Sequence, residues 1–320
     1  MAVYTEVTDE ALRAFLADYA LGGLLAFRGI AEGVENSNYA LKTEQGDFIL
    51  TLYEKRVDPA ELPYFLGLMQ HLAGRGLSCP QPVPARDGVA LRSLAGRPAA
   101  ICTFLPGVWP RRIRPSHCEP LGEALGALHL AGEGFRLMRA NGLGPAAWAP
   151  LLERCRPDAD AALVAELDEA LAAILAAWPA GLATGHIHAD LFPDNAFFLE
   201  DGRRQRVSGL IDFYFACTDL LAYDVAICLN AWCFEEARSF NVTKARALLR
   251  GYESRRPLSA AERAALPVLC QGAAIRFLLT RLFDWVNTPA GAMVTRKDPM
   301  EYLHKLRFFR EATTPEAIGG

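Results

Sequence analysis

His188, Asp190 and Asn195 follow one another as His-x-Asp-x-x-x-x-Asn within Gly185-His-Ile-His-Ala-Asp-Leu-Phe-Pro-Asp-Asn195. A carboxylate placed like Asp190 can accept the proton of an attacking hydroxyl, and an amide oxygen five residues on can help hold Mg²⁺ against phosphate oxygens. Seventeen residues after Asn195 the apolar run Val207-Ser-Gly-Leu-Ile ends in Asp212-Phe213, which supplies a second carboxylate for the same cation. Phosphoryl transfer asks a protein mainly for such positioned oxygens, because there is little covalent work for it to do. Singly each residue reads as an ordinary loop position. Together they read as a site, since a scaffold has no use for clustered carboxylates that repel one another when the cation is absent.

The same stretch supports a rival chemistry. His186-Ile-His188-Ala-Asp190 also spells His-x-His-x-Asp, which can present two imidazoles and a carboxylate to zinc for hydrolysis. Against it, Leu191 stands where such hydrolases usually continue with histidine, only His304 lies downstream, and Asn195 and Asp212 are left without a purpose. His188 reads better as a brace of the loop than as a general base. His129, inside the helical apolar pattern of Leu125-Gly-Ala-Leu-His-Leu130, reads as a hydrogen-bonded interior residue without chemistry.

These groups need elements to position them. Thr8 predicts a helix N-cap followed by Leu12, Phe15, Leu16 and Tyr19 at helical spacing. Strand-like runs follow at 24–30, 38–43 and 48–54, the last two joined by a turn in which Gly46 can take a positive φ. A helix is expected over 59–73, then strands at 89–94 and 98–104. Leu105-Pro-Gly107 breaks the pattern, and beyond it helices dominate except at 182–190, 196–199 and 207–213, the last two predicting a hairpin that folds Asp212 back beside Asp190 and Asn195. The expectation is an α+β protein of two lobes, 1–104 with a small antiparallel sheet and 105–320 mostly helical, rather than alternating βαβ units.

With 320 residues, 52% of them hydrophobic and 22% charged, the chain has the material for a packed core and too little charge for disorder. A net charge of -4 offers no footprint for nucleic acid or an anionic membrane. The most apolar stretch, 170–183, is too short to span a bilayer, so no membrane association is expected. The N-terminus lacks the pattern of a secretory or transit signal, and eight cysteines without a Cys-x-x-Cys pair predict reduced, buried thiols and a cytoplasmic setting.

The spacing of His188, Asp190 and Asn195 resembles a kinase catalytic loop, and with Ile211-Asp-Phe213 and the order of elements the chain resembles the aminoglycoside phosphotransferase-like kinases of small molecules over almost its whole length. Gly33-Val-Glu-Asn-Ser-Asn-Tyr39, Phe48-Ile-Leu-Thr-Leu-Tyr-Glu-Lys55 and Ile211-Asp-Phe-Tyr-Phe-Ala-Cys217 are similar, more closely, to the homoserine kinase branch. The resemblance implies a protein-kinase-like fold and ATP- and Mg²⁺-dependent phosphorylation of a small hydroxylated substrate, L-homoserine for that branch. It further implies Asp190 as catalytic base, Asn195 and Asp212 as metal ligands, and Asp224 as a residue bracing the loop. Asn36, Ser37 and Asn38 fall in the phosphate-covering loop, and Thr103, Phe104 and Leu105 at the hinge that receives adenine.

One departure accompanies it. Where related kinases place a strand lysine, Phe48–Leu52 offers Thr51, and Phe65 falls near the expected partner glutamate, leaving Lys42 or Lys55 to supply positive charge. That gap admits a catalytically silent kinase-like binding module as an alternative. For the acceptor pocket Arg276, Arg281, Asp284, Trp285 and Tyr214 are candidates, though Arg281 and Asp284 read equally as a surface ion pair. Choline, an aminoglycoside or a methylthioribose-like sugar are the alternative acceptors, and the mixed charge of 219–312 favours a small zwitterion over a polycation.

Overall fold

The computed structural model describes residues 4–30, 36–54, 58–201, 204–236, 238–288 and 296–320. The chain divides into two compact units, residues 1–106 with 135–137, and residues 107–134 with 138–320.

In the first unit, α1 (Asp9–Leu16) begins at Thr8, whose hydroxyl accepts the Ala11 N–H at 3.2 Å. Strands β1 (Leu24–Gly29), β2 (Ser37–Thr43) and β3 (Gly46–Leu52) precede α2 (Leu62–Gly74), and β4 (Arg92–Leu94) and β5 (Arg97–Thr103) follow it. They form one antiparallel sheet in the order β1-β2-β3-β5-β4. The β2–β3 turn rests on Gly46, whose φ of 131° is closed to residues with a Cβ. Alternation in β2 sends Ser37, Tyr39, Leu41 and Thr43 inward and leaves Asn38, Ala40 and Lys42 on the opposite face. Leu12, Leu41, Leu50, Leu52 and Ile101 form the centre of this core. The strand expected from Val89 is shorter, because Asp87 accepts the Val89 N–H at 3.0 Å and Gly88 sits at φ 86°, which commits that segment to a turn.

The second unit contains α3 (Pro115–Ala131), α4 (Pro145–Cys155), α5 (Ala161–Ala177), β6 (Thr184–Ile187), the hairpin β7 (Ala196–Asp201) and β8 (Arg204–Leu210), β9 (Cys217–Leu220) and α6 (Leu221–Trp232). A short hairpin, β10 (Phe234–Glu235) with β11 (Ser239–Phe240), then leads to α7 (Val242–Glu253), α8 (Ala260–Asn287) and α9 (Met300–Glu311). Gly107 opens the unit at φ 131°, where a Cβ would lie 2.3 Å from the Ser208 hydroxyl and 2.9 Å from the Phe198 carbonyl. Helices α3 and α7 nearly touch along their backbones. A Cβ on Gly122 would lie 2.0 Å from the Leu248 carbonyl oxygen, and one on Gly251 would lie 2.0 Å from that of Glu119.

β9 pairs antiparallel with β6, Ile187 opposite Cys217, a strand the sequence reading lacks because four residues carry no resolvable alternation. The expectation that 170–183 is the leading apolar stretch also needs correction. α8 is longer and apolar enough to cross a membrane, but 72% of its apolar window is buried inside the unit, as in a core helix packed on α4, α6 and α9. All eight cysteines lie buried as thiols.

Candidate active site

β6 ends at Ile187, and the chain then turns through His188, Ala189 and Asp190 toward the β7–β8 hairpin. Four hydrogen bonds close a ring through this turn. The Asp190 N–H donates to His188 Nδ1 at 3.3 Å, and His188 Nε2 meets the Ile211 carbonyl at 2.9 Å. The Ile211 N–H donates to the Asn195 carbonyl at 3.0 Å, and Asn195 Nδ2 donates to the Asp190 carbonyl at 2.8 Å. The hairpin register, Ala196 opposite Leu210, is what carries Ile211 to Asn195 and so delivers Asp212 to the loop. The segments bearing Asp190, Asn195 and Asp212 are thus tied together as the spacing predicted.

The ring specifies the state of His188. Nε2 must carry its proton to meet a carbonyl, while Nδ1 must keep its lone pair to accept an N–H, which is the neutral imidazole. Burial, the leading influence, agrees by pushing its pKa down, with Asp224 the first of the opposing groups. Neither nitrogen is left for a metal, which removes the zinc reading of His186, His188 and Asp190. Asn195 is constrained in the same manner: its amide nitrogen is committed to the loop, so its side-chain oxygen is the donor left over.

Asp224, on α6 and wholly buried, braces the loop from below. Its Oδ2 accepts the His188 N–H at 2.7 Å and its Oδ1 the Ala189 N–H at 2.9 Å. His129 Nε2 reaches the same Oδ2 at 3.2 Å, while His129 Nδ1 lies 2.8 Å from the Tyr252 hydroxyl. Arg256 donates to that hydroxyl at 2.9 Å and pairs with Glu262 at 2.7 Å. Since Tyr252 receives from Arg256, it donates to His129, which leaves the His129 Nε2 proton for Asp224. Burial alone would raise the Asp224 pKa, but the His129 hydrogen bond and the other donors overcome it and hold the group ionised below the usual carboxylate range. His129 therefore belongs to the loop's support, which sequence reading missed; the local signal was Gly122 and Gly126, whose lack of side chains lets α3 approach α7 closely enough for His129 to meet Tyr252.

Two non-glycine residues at the site adopt left-handed backbone, Ala189 at φ 62° and Asp212 at φ 63°. Each such residue costs about 1–3 kcal/mol and persists only where neighbours over-determine it. Ala189 is held by Asp224 on its N–H and by the Arg276 guanidinium on its carbonyl. Asp212 follows Ile211, both of whose backbone polar groups are engaged by the ring. Asp190 keeps a fifth of its side chain exposed, with Arg276 Nη2 3.8 Å from Oδ1. Burial raises its pKa, and Arg276, His188 and Lys297 oppose the rise in that order.

Of the acceptor-pocket candidates, Arg276 approaches Asp190. Arg281 is bound to Glu301 at 2.6 Å, not to Asp284, and the Trp285 ring is covered by Arg296, 5.0 Å from its centroid.

The first unit carries the residues expected to face the nucleotide. Asn36 Oδ1 accepts the Glu54 N–H at 3.2 Å, the Ser37 hydroxyl donates to Glu54 at 2.7 Å, and Asn38 Oδ1 accepts from the Thr51 hydroxyl at 2.8 Å. These side chains knit the ends of β2 and β3, and Thr51, at the position of the missing lysine, is the cross-strand partner of Asn38. Phe65 is core. The Thr103 N–H is committed to the Gln81 carbonyl at 3.0 Å and that of Phe104 to the Asp47 carbonyl at 3.3 Å, while the Leu105 N–H donates to no described residue. A cavity of about 330 Å³ on this sheet is bordered by Arg28, Ala40, Lys42, Asp47 and Phe104. Gly33, Val34, Glu35 and Lys55 lie outside the described residues.

The model of the phosphotransferase enzyme family matches residues 26–258, which include the whole ring and its brace. The chain belongs to this family. Homoserine kinase of Gluconacetobacter diazotrophicus is 67% identical over 324 residues, covering 100% of both chains, and homoserine kinase of Acidiphilium cryptum is 67% identical over 322 residues with the same coverage. Among solved structures, a microcompartment-associated aminopropanol kinase superposes with a TM-score of 0.66 at 21% identity, covering 98% of this chain and 99% of that one. The fold is accordingly the α+β, protein-kinase-like fold of small-molecule kinases, and the family implies an ATP-dependent enzyme acting on a small molecule.

Proposed function

We infer that this chain is a homoserine kinase, which moves the γ-phosphoryl group of ATP to the side-chain hydroxyl of L-homoserine and gives O-phospho-L-homoserine. The observation that carries this reading is the 67% identity to homoserine kinases over the full length of both chains. The family model ends at residue 258, whereas the alignment with those homoserine kinases also covers α8, which carries Arg276 beside Asp190, and α9. Choline or an aminoglycoside as acceptor finds no comparable support.

In this reading Asp190 takes the proton of the attacking hydroxyl. Its raised pKa makes it a better base than an ordinary aspartate while Arg276 and Lys297 still favour the carboxylate. The Asn195 side-chain oxygen and the Asp212 carboxylate would hold Mg²⁺, and the fit is chemical: both are oxygen donors, the class that cation prefers. Bound there, the ion would neutralise charge on the nucleotide's terminal phosphates. His188 and Asp224 hold the loop, and the β1–β3 face with Arg28, Lys42 and the Leu105 N–H receives the nucleotide.

Purified protein with ATP and Mg²⁺, assayed by coupled ADP release against L-homoserine, L-serine, L-threonine, choline and kanamycin, should prefer L-homoserine by its kcat/KM. Asp190→Asn should lower kcat by about 10²–10⁴ while sparing nucleotide binding. No preference for homoserine, or full activity in the variant, refutes the reading.

A further inference from the structure

Two buried polar atoms on α8 and α9, Arg276 Nε and the Tyr302 hydroxyl, have no hydrogen-bond partner among the described residues. Buried polar groups are almost always satisfied, so an orphan in a native fold asks for a water or a ligand. Arg276 is 3% exposed and rests 4.1 Å from the Phe277 ring centroid, and Phe277 lies 5.2 Å from the Tyr302 ring. Arg276 Nη1 is used on the Ala189 carbonyl, but Nη2 makes no hydrogen bond to a described residue and sits 3.8 Å from Asp190 Oδ1, too far for one. Of the neighbouring cations, Arg281 and Lys305 bind the two oxygens of Glu301 at 2.6 and 2.7 Å, and the exposed Lys297 rests its Nζ 5.5 Å from the Phe192 ring centroid. Arg276 is thus the buried cation near the group assigned as base that has a donor to spare, and the Tyr302 hydroxyl is a phenol with no hydrogen-bond partner among the described residues.

Resting on the homoserine kinase reading, we propose that Arg276, assisted by the Tyr302 hydroxyl, captures the α-carboxylate of the amino-acid acceptor and makes that carboxylate the specificity element of the site. A hydroxyl bonded to Asp190 and a carboxylate bonded to Arg276 would be separated by the three-carbon chain of homoserine, roughly 5 Å end to end when extended, which matches two protein groups lying side by side. The wall of Phe192 and Phe277, ring centroids 4.9 Å apart, supplies apolar surface for those methylenes. Burial leads in raising the Tyr302 pKa, with Arg281 opposing and Glu301 and Asp190 adding to the rise, so the phenol is protonated and can donate to a carboxylate.

The test compares L-homoserine with 3-aminopropan-1-ol, the same acceptor without its carboxylate, in wild type, Arg276→Met, Arg276→Lys and Tyr302→Phe. Wild type should strongly prefer homoserine. In Arg276→Met the ratio of kcat/KM for the two acceptors should fall by at least about 30-fold, the equivalent of ~2 kcal/mol for a buried charge deprived of its partner. Because Arg276 also holds the Ala189 carbonyl, kcat should fall on both acceptors alike, while the loss specific to homoserine should sit mainly in its KM and be partly recovered in Arg276→Lys. Tyr302→Phe removes a single oxygen and should lower the ratio about fivefold, which keeps the test decisive if Arg276→Met does not fold. Equal losses on both acceptors, or a wild type indifferent to the carboxylate, overturn the inference alone. Absence of homoserine turnover in wild type sinks the acceptor assignment and this inference with it.

Discussion

Replacing Asp224 with asparagine exchanges one oxygen for an NH₂ group at a site with no exposure and three inbound donors. Oδ2 serves both the His188 N–H and His129, whereas Oδ1 serves the Ala189 N–H alone, so the amide does least harm by turning its nitrogen toward Ala189. Donor then faces donor. One hydrogen bond to a charged group is lost, about 1.5–3 kcal/mol, and buried N–H groups go unsatisfied at about 1–3 kcal/mol, giving a loss of about 3–6 kcal/mol. That is a large fraction of the ~5–15 kcal/mol typical of native proteins. Urea unfolding should register it as a lower midpoint at unchanged slope, and thermal unfolding as a drop of roughly 2–4 °C per kcal/mol for a unit of this size. The Ala189 N–H bond also holds the left-handed turn that aims Asp190, so kcat should fall on the order of 10²-fold, the cost of misplacing a reacting group by about 1 Å. A variant within about 0.5 kcal/mol of wild type and with wild-type kcat would refute the bracing role.

Stability should depend on pH through His188. Folding holds the ring neutral with a pKa below 6.5, so below that pH the unfolded chain binds a proton that the folded one refuses. Stability is full above pH 6.5 and falls as pH drops, by up to about 1.4 kcal/mol per unit; His188→Asn should flatten this slope in urea titrations taken between pH 7 and 5. Gly251→Ala would push a methyl to within 2.0 Å of the Glu119 carbonyl, forcing α3 from α7 at a cost of about 1–3 kcal/mol, with a parallel loss of kcat as His129 is drawn off Asp224. Asp212→Asn should raise the Mg²⁺ concentration needed for half-maximal turnover, measured by metal titration at saturating homoserine, and an unchanged requirement would argue against its role as a ligand.

Much of the fold is legible locally. The Thr8 cap, the Gly46 turn and the alternation in β2 each depend on residues a few positions apart, and the structure has them where the spacing puts them. The proximity of the segments carrying Asp190, Asn195 and Asp212 is legible in the same way, because the loop and the hairpin joining them are continuous in the chain. The left-handed backbone at Ala189 and Asp212 was not legible, since neither residue type announces it; partners distant in sequence impose it.

Composition and spacing by themselves pointed to an α+β chain of the fold found, and singled out three oxygen-bearing residues as candidates for phosphoryl transfer. Only the tertiary structure decided that both ring nitrogens of His188 are engaged and the ring neutral, that His129 meets Tyr252 across 123 positions, and that Arg276 reaches the loop across 87. Caps, turns and alternation are short-range consequences of side-chain size and polarity. Contacts between distant residues exist only once helices have packed, and here the packing of α3 on α7 depends on glycines whose purpose is invisible until the opposing backbone is in place.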